Sequence, residues 1–313
     1  MIKKIIFDTD IGGDCDDAGA LAILHQAQKA NLAQLLAVTI STSSPFAAGC
    51  ADAINQYYGN QVPIGQTDGV PPGEDVNFFV NSYGAYITAN CPNDYNPQGG
   101  KKPENAVKLL RKILAQNKGE KITLVVVGSN INIAGLLDSE GDEISPLSGV
   151  ELVKEQVDEI SLMGCYFPTK EVPEVWFGDY KMEAECNIVV DIKSAQTVFN
   201  KCPVPIVISH YLIGYYVYTG GILITTDEKN PVAKSYKVHS NGNRNSWDPI
   251  SSYYAVFGTG NILTADKVGT VHIDDKGIST FKEEKNGKHI ILECDDFKKA
   301  ERELDLVMQG IIN

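Results

Sequence analysis

The chain has 313 residues, 43% of them hydrophobic, and a formal net charge of −13. That length supports a large core, and the negative charge excludes a nucleic-acid polymer as partner, because a phosphate backbone docks on a basic surface. Seven cysteines, an odd number with no CxxC or zinc-type spacing, predict free thiols and a reducing, cytoplasmic setting. The opening MIKKIIFDTD is too short and too soon interrupted by acid for a signal peptide. No apolar run approaches membrane-spanning length, so no membrane partner is expected.

In chain order, Ile5–Phe7 reads as a buried strand. Five aspartates follow within FDTDIGGDCDDAGAL: Asp8, Asp10, Asp14, Asp16 and Asp17. DDAGALAILHQAQKA predicts a helix with acid in its first turn, as the helix dipole favours. QLLAVTIS predicts a second strand, PFAAGCADAINQYYG a helix started by proline and ended by glycine, and VPIG a short strand. Residues 66–100 read mainly as an irregular excursion. PENAVKLLRKILAQNK predicts an amphipathic helix, ITLVVVG an apolar strand, NINIAGLL a helix start and QVDEISLMG a further strand. After an irregular stretch through Trp176 come a helix, IKSAQTVFN, and a strand, VPIVIS. Alternation and two turn signals in GTVHIDDKGISTFKEEKNGKHIILE predict an antiparallel meander over 265–293. A C-terminal helix over 295–312 follows.

Strands alternating with helices, several of them apolar throughout, indicate an α/β fold. We expect an open, mostly parallel, Rossmann-like sheet with helices on both faces, plus a small C-terminal antiparallel β element and terminal helix. No composition break or linker divides the chain, so residues 1–313 read as a single domain. In such sheets ligands bind beyond the carboxyl ends of the strands. That edge collects Asp8–Asp17, Thr39–Ser44, Gly128–Asn132, Met163–Cys165 and Ser209–His210.

The aspartates need an explanation, because two carboxylates about 4 Å apart repel by roughly 4 kcal/mol at an effective dielectric near 20. One reading is a solvated acidic loop capping a helix. A second is a hard-cation site, since carboxylates, carbonyls and water suit Ca²⁺ or Mg²⁺. A third is the phosphatase pattern in which a strand ends in Asp-x-Asp and the first aspartate, here Asp8, is a nucleophile. That pattern does not account for Asp16–Asp17.

The whole stretch DTDIGGDCDDAGAL resembles the signature of the nucleoside hydrolase family, the inosine–uridine-preferring ribohydrolases, with a two-residue expansion at Asp14–Cys15. VVVGSNINIA resembles the family's strand–Gly-Pro-Leu-Thr-Asn–helix element, with Ser129, Asn130 and Ile131 departing from it. ISLMGCYF keeps Met163 and Gly164. GDYKMEAECNIVVD keeps Glu185 and Asn187, with Asp179 in place of an Asn and Cys186 in place of an aromatic. NSWDPISSYYAV keeps Asp248, with Trp247 in place of a histidine. The blocks run in family order from residue 5 to about 257.

The resemblance implies hydrolysis of the N-glycosidic bond of a ribonucleoside. Asp10 would be metal ligand and general base. Asp17, Asp248 and the carbonyl of Ile131 would complete a shell for Ca²⁺, favoured over Mg²⁺ by its many-oxygen, flexible character. Asp16 and Asn187 would hold ribose hydroxyls, Glu185 and Asp179 would face the 5′ end, and Met163 would line the pocket. Asp8 would support the loop. Ser43 or Ser44 would replace the family's ribose-binding Asn after the second strand. The leaving-group acid is unassigned: Trp247 cannot donate a proton usefully and would stack on a base or pack the wall, and His210 and His239 are candidates. Asp14 is an additional acid, either supporting the ligands from behind or substituting as a ligand. The family's habit implies a homo-oligomer, dimer or tetramer. Against hydrolysis stand the phosphatase reading and a non-catalytic ribose- or nucleoside-binding protein.

Overall fold

Along Lys3–Thr9 the residues pass from exposed to buried at Ile5. Ile5 and Phe7 join one core layer and Ile6 the other, the period of two that a strand buried on both faces requires. This strand lies inside a ten-stranded sheet. The order is Ser279–Glu283, Thr264–Ile273, His289–Glu293, Ile206–Ser209, Val157–Met163, Ile122–Val126, Lys3–Thr9, Ala33–Ile40, Ile64–Gln66 and Glu104–Asn105. Our computed structural model describes residues 2–312 apart from 173, 178 and 179. Asp179 therefore lies outside the described residues.

From His289–Glu293 to Glu104–Asn105 every neighbouring pair is parallel. The chain builds outward from Lys3–Thr9 through Ala33–Ile40 on one side. It then returns to add Ile122–Val126 on the other side. The order reverses at the first strand, and its carboxyl end is the topological switch point where open α/β sheets bind ligands. Asp8 sits there, paired in register with Thr39 and Val126.

Helices Asp16–Lys29, Ala47–Tyr57, Trp247–Phe257 and Phe297–Met308 cover one face. Ala106–Gln116, Ile131–Asp138, Gly149–Gln156 and Ile192–Lys201 cover the other. On the second face Arg111, with a side chain 2% exposed, pairs with Asp142 through Nε and Nη2 at 2.8 and 2.9 Å. It also donates to the Ser145 and Leu147 carbonyls, which ties down the loop before Gly149.

Two expectations change. Residues 66–100 carry helices Val76–Val80 and Tyr83–Asn90. The first is capped by Asp75, whose carboxylate accepts from the Asn77 and Phe78 N–H groups. The C-terminal meander is antiparallel where Thr264–Ile273 meets its two neighbours, as alternation predicts. However, His289–Glu293 also pairs parallel with Ile206–Ser209, so the element extends the main sheet instead of standing beside it. Among the described residues no helix is long and apolar enough to cross a membrane.

Candidate active site

The acidic loop leaves the first strand through a network of its own. Thr9 Oγ1 accepts from the Ile11 N–H and donates to Asp17. Gly12 turns the chain at φ +117°, where a side chain would be strained. Its N–H donates to the Tyr83 hydroxyl at 3.0 Å, and its carbonyl accepts from the Gly84 N–H and the Ser82 hydroxyl. A Cβ on Gly84 would sit 2.7 Å from the Gly12 Cα. The Tyr83–Asn90 helix thus clamps the loop by backbone contact, a role that the Pro- and Gly-rich surroundings hid from sequence reasoning.

Asp16 and Asp17 open helix Asp16–Lys29, and Asp248 lies in the first turn of Trp247–Phe257. Two helix N-termini therefore converge, each favouring negative charge. The Asp248 N–H donates to Asp16 Oδ2 at 3.1 Å. Carboxylate oxygens of Asp16, Asp17 and Asp248 lie within 4.8 Å of one another, all three residues being buried. Burial raises each of their pKa values well above the ordinary range, and neighbouring aspartates raise them further. Half-buried Asp10 is pushed up to about 7, first by burial and then by the charges of Glu74 and Asp14. A cluster of buried oxygen donors destabilised by its own repulsion fits a hard divalent cation.

A cavity of about 430 Å³ opens over this cluster, within the range for small-molecule sites. Asp10, Asp14, Asp16, Asp17 and Asp248 line it, together with Met163, Glu185 and Asn187. Glu185 caps helix Cys186–Val189, accepting from the Asn187 and Ile188 N–H groups. Burial, with a smaller contribution from the charge of Asp10, pushes it up to about 7. Asn187 Nδ2 donates to the Val127 carbonyl at 3.0 Å and lies 3.2 Å from the Met163 sulfur.

Other expected residues are placed elsewhere. Ile131 opens helix Ile131–Asp138 but does not line the cavity. Ser44 is buried inside its own turn, its hydroxyl accepting from the Phe46 N–H, and is not in the cavity wall. His210 is buried with Nε2 3.6 Å from Glu293, also away from the cavity. Neither loop position predicts which way the side chain turns. Asp8 is 1% exposed and accepts from Thr39 Oγ1 at 2.5 Å and Asn132 Nδ2 at 2.8 Å. Enclosed in this way, it supports the loop and cannot reach a phosphoryl group as a nucleophile.

Asp14 is not a spare ligand. Arg244, which sequence reasoning missed, grips it through Nε at 2.9 Å and Nη2 at 2.5 Å. His239 Nε2 lies 3.3 Å from the same carboxylate. Asp14, Cys15 and His239 are close enough to share a cation, but Arg244 already neutralises Asp14, and burial keeps the Cys15 thiol protonated. Trp247 packs the cavity wall: its Nε1 donates to the Tyr211 carbonyl at 3.0 Å, and its ring stacks on Tyr211 at 5.3 Å.

No curated protein matches this sequence. The family model described as inosine-uridine preferring nucleoside hydrolase matches residues 5–290. Among solved structures, an inosine-uridine preferring nucleoside hydrolase from Bacillus anthracis superposes with a TM-score of 0.71 at 16% identity, covering 99% of this chain and 100% of that one. A plant nucleoside hydrolase gives 0.71 at 19% identity over 98% and 99%. The type III effector protein XopQ, complexed with adenosine diphosphate ribose, gives 0.71 at 14% identity over 100% and 95%. At these identities the structural likeness shows the fold, and the family model shows the family. The chain belongs to the inosine-uridine preferring nucleoside hydrolases, hydrolases of N-ribosyl bonds, as a divergent member.

Proposed function

We propose that the chain hydrolyses the N-glycosidic bond of a ribonucleoside, releasing ribose and free base, with Asp10 as general base. The observation that carries this reading is the buried Asp16–Asp17–Asp248 cluster facing the same cavity as Asp10. Asp10, Asp17 and Asp248 would hold a divalent cation, Ca²⁺ in preference to Mg²⁺. A bound cation supplies charge neutralisation and Lewis acidity at this point. Asp10 takes the proton of the attacking water, which a bound cation makes more acidic. Asp16 and Asn187 bind ribose hydroxyls, Met163 lies against the sugar, and Glu185 with Asp179 faces the 5′ end. The surrounding carboxylates tolerate the positive charge that develops on the ribose ring. Free cysteines, six of the seven buried, fit a reducing cytoplasmic setting.

A panel of natural nucleosides, assayed by reducing-sugar release with and without chelator, tests the reading. Equimolar ribose and base, lost with chelator and restored by calcium, is expected. Ribose release from no nucleoside, beside tight binding of one, would turn the reading toward a binding protein.

A further inference from the structure

The hydrolase reading leaves unassigned what assists the departing base. Trp247 stands where the resemblance places a histidine, and its indole N–H is committed to Tyr211. His239 and His210 do not line the cavity; Arg244 does, as the one cationic residue in its wall among the described residues. Its guanidinium lies 5.0 Å over the Trp247 ring. Asp14 takes Nε and Nη2, whereas among the described residues Nη1 has a single 3.4 Å contact, with Asn245 Oδ1.

We propose, resting on that reading, that Arg244 receives the leaving base, donating hydrogen bonds to a base carbonyl oxygen, with Asp14 as its positioning residue. The C1′–N bond breaks and its electron pair passes to the base, where the carbonyl oxygen carries the charge toward Arg244. The water oxygen bonds to C1′, and the water proton passes to Asp10. A solvent proton neutralises the base after it departs. Arginine has donors but no proton to give near neutrality, so the assistance is electrostatic and greatest when the charge is greatest. Among the described residues the same cavity presents six carboxylates, Asp10, Asp14, Asp16, Asp17, Glu185 and Asp248, which disfavours a phosphate as the partner of Arg244. The Asp14–Cys15 expansion thus acquires a purpose: it supplies the carboxylate that aims the guanidinium.

The test compares inosine with p-nitrophenyl riboside, whose leaving group departs without assistance, in wild type, Arg244→Gln, Arg244→Ala and Asp14→Asn. Arg244→Gln is expected to lower kcat on inosine by about 100-fold, the usual loss for one charge-stabilising donor. The ratio of inosine to nitrophenyl-riboside rates should fall by at least about 30-fold, with Asp14→Asn moving it the same way. Guanidinium ion should restore part of the inosine rate of Arg244→Ala. Should these variants fold poorly, Arg244→Lys gives the same ratio, expected between wild type and Arg244→Gln. Equal losses on both substrates, or no loss, would overturn the proposal and leave the hydrolase reading intact. So would a wild type that cleaves only the nitrophenyl riboside. A wild type that releases ribose from neither would instead overturn the hydrolase reading, and this inference with it.

Discussion

Stripping the divalent cation is expected to destabilise the protein in a pH-dependent way. Asp16, Asp17 and Asp248 hold carboxylate oxygens within 4.8 Å of one another. At that separation, and an effective dielectric near 20, each ionised pair costs about 3.5 kcal/mol. Without a cation the folded protein avoids this cost by retaining protons, and burial with mutual repulsion holds these pKa values high. Above about pH 4 the folded, cation-free protein then binds more protons than the unfolded chain, so its stability falls as pH rises. Asp10, pushed up to about 7 by burial foremost, extends the window to neutrality. Calcium competes with those protons, so its stabilisation grows over the same window. At a thousand times Kd, mass action supplies about 4 kcal/mol, a rise in Tm of roughly 6 °C for a chain of 313 residues. Thermal denaturation between pH 5 and 7.5, in chelator and in calcium, reads the difference. His25 and His289, both pushed down to about 4 by burial, add the same slope to each series and cancel. A gain of that size at pH 7.5, shrinking toward pH 5, is expected. A Tm indifferent to calcium at pH 7.5, or a larger gain at pH 5, would refute the cation assignment.

Three further outcomes follow. 2′-Deoxyinosine should be cleaved about 10⁴-fold less efficiently than inosine, because a site built to bond a hydroxyl rejects the analogue lacking it. Asn187→Ala should narrow that gap by lowering the inosine rate, and an unchanged kcat/KM ratio would remove Asn187 from ribose binding. Arg111→Met should cost about 2 kcal/mol, since it removes the donor to the Ser145 and Leu147 carbonyls at the base of a loop. Its chemical denaturation midpoint should fall while the KM for inosine stays put; an unchanged midpoint would show that these bonds contribute little.

Much of the site was legible because its chemistry coincides with local pattern. A strand ending in aspartates, followed by an acid-opened helix, places Asp10, Asp16 and Asp17 at a strand's carboxyl edge whatever the rest of the chain does. Asp248 was legible only through the resemblance of NSWDPISSYYAV to the family's late block, because SWDP alone marks no more than a helix start. The Asp14–Arg244 pair was not, because 230 positions separate the partners and neither residue has periodicity or motif to mark it. Arg244 stands three residues before Trp247, so the segment was in view, but nothing in NRNSWDP says which carboxylate it meets. His210 and Ser44 were misplaced for a related reason: reaching the sheet edge does not decide whether a side chain faces the cavity or the loop beneath it. The docking of the last strand on Ile206–Ser209 escaped because alternation reveals pleating and does not name a strand's second neighbour.

Asp10 carries the central claim, that a carboxylate beside the buried cluster takes the proton of the attacking water. The direct measurement is single-turnover release of ribose from inosine by wild type and Asp10→Asn in saturating calcium, with Tm recorded for both. A loss of about 10³-fold in rate, with Tm held within a few degrees, is expected for a general base that is removed without unfolding the site. Full wild-type hydrolysis by Asp10→Asn would contradict it.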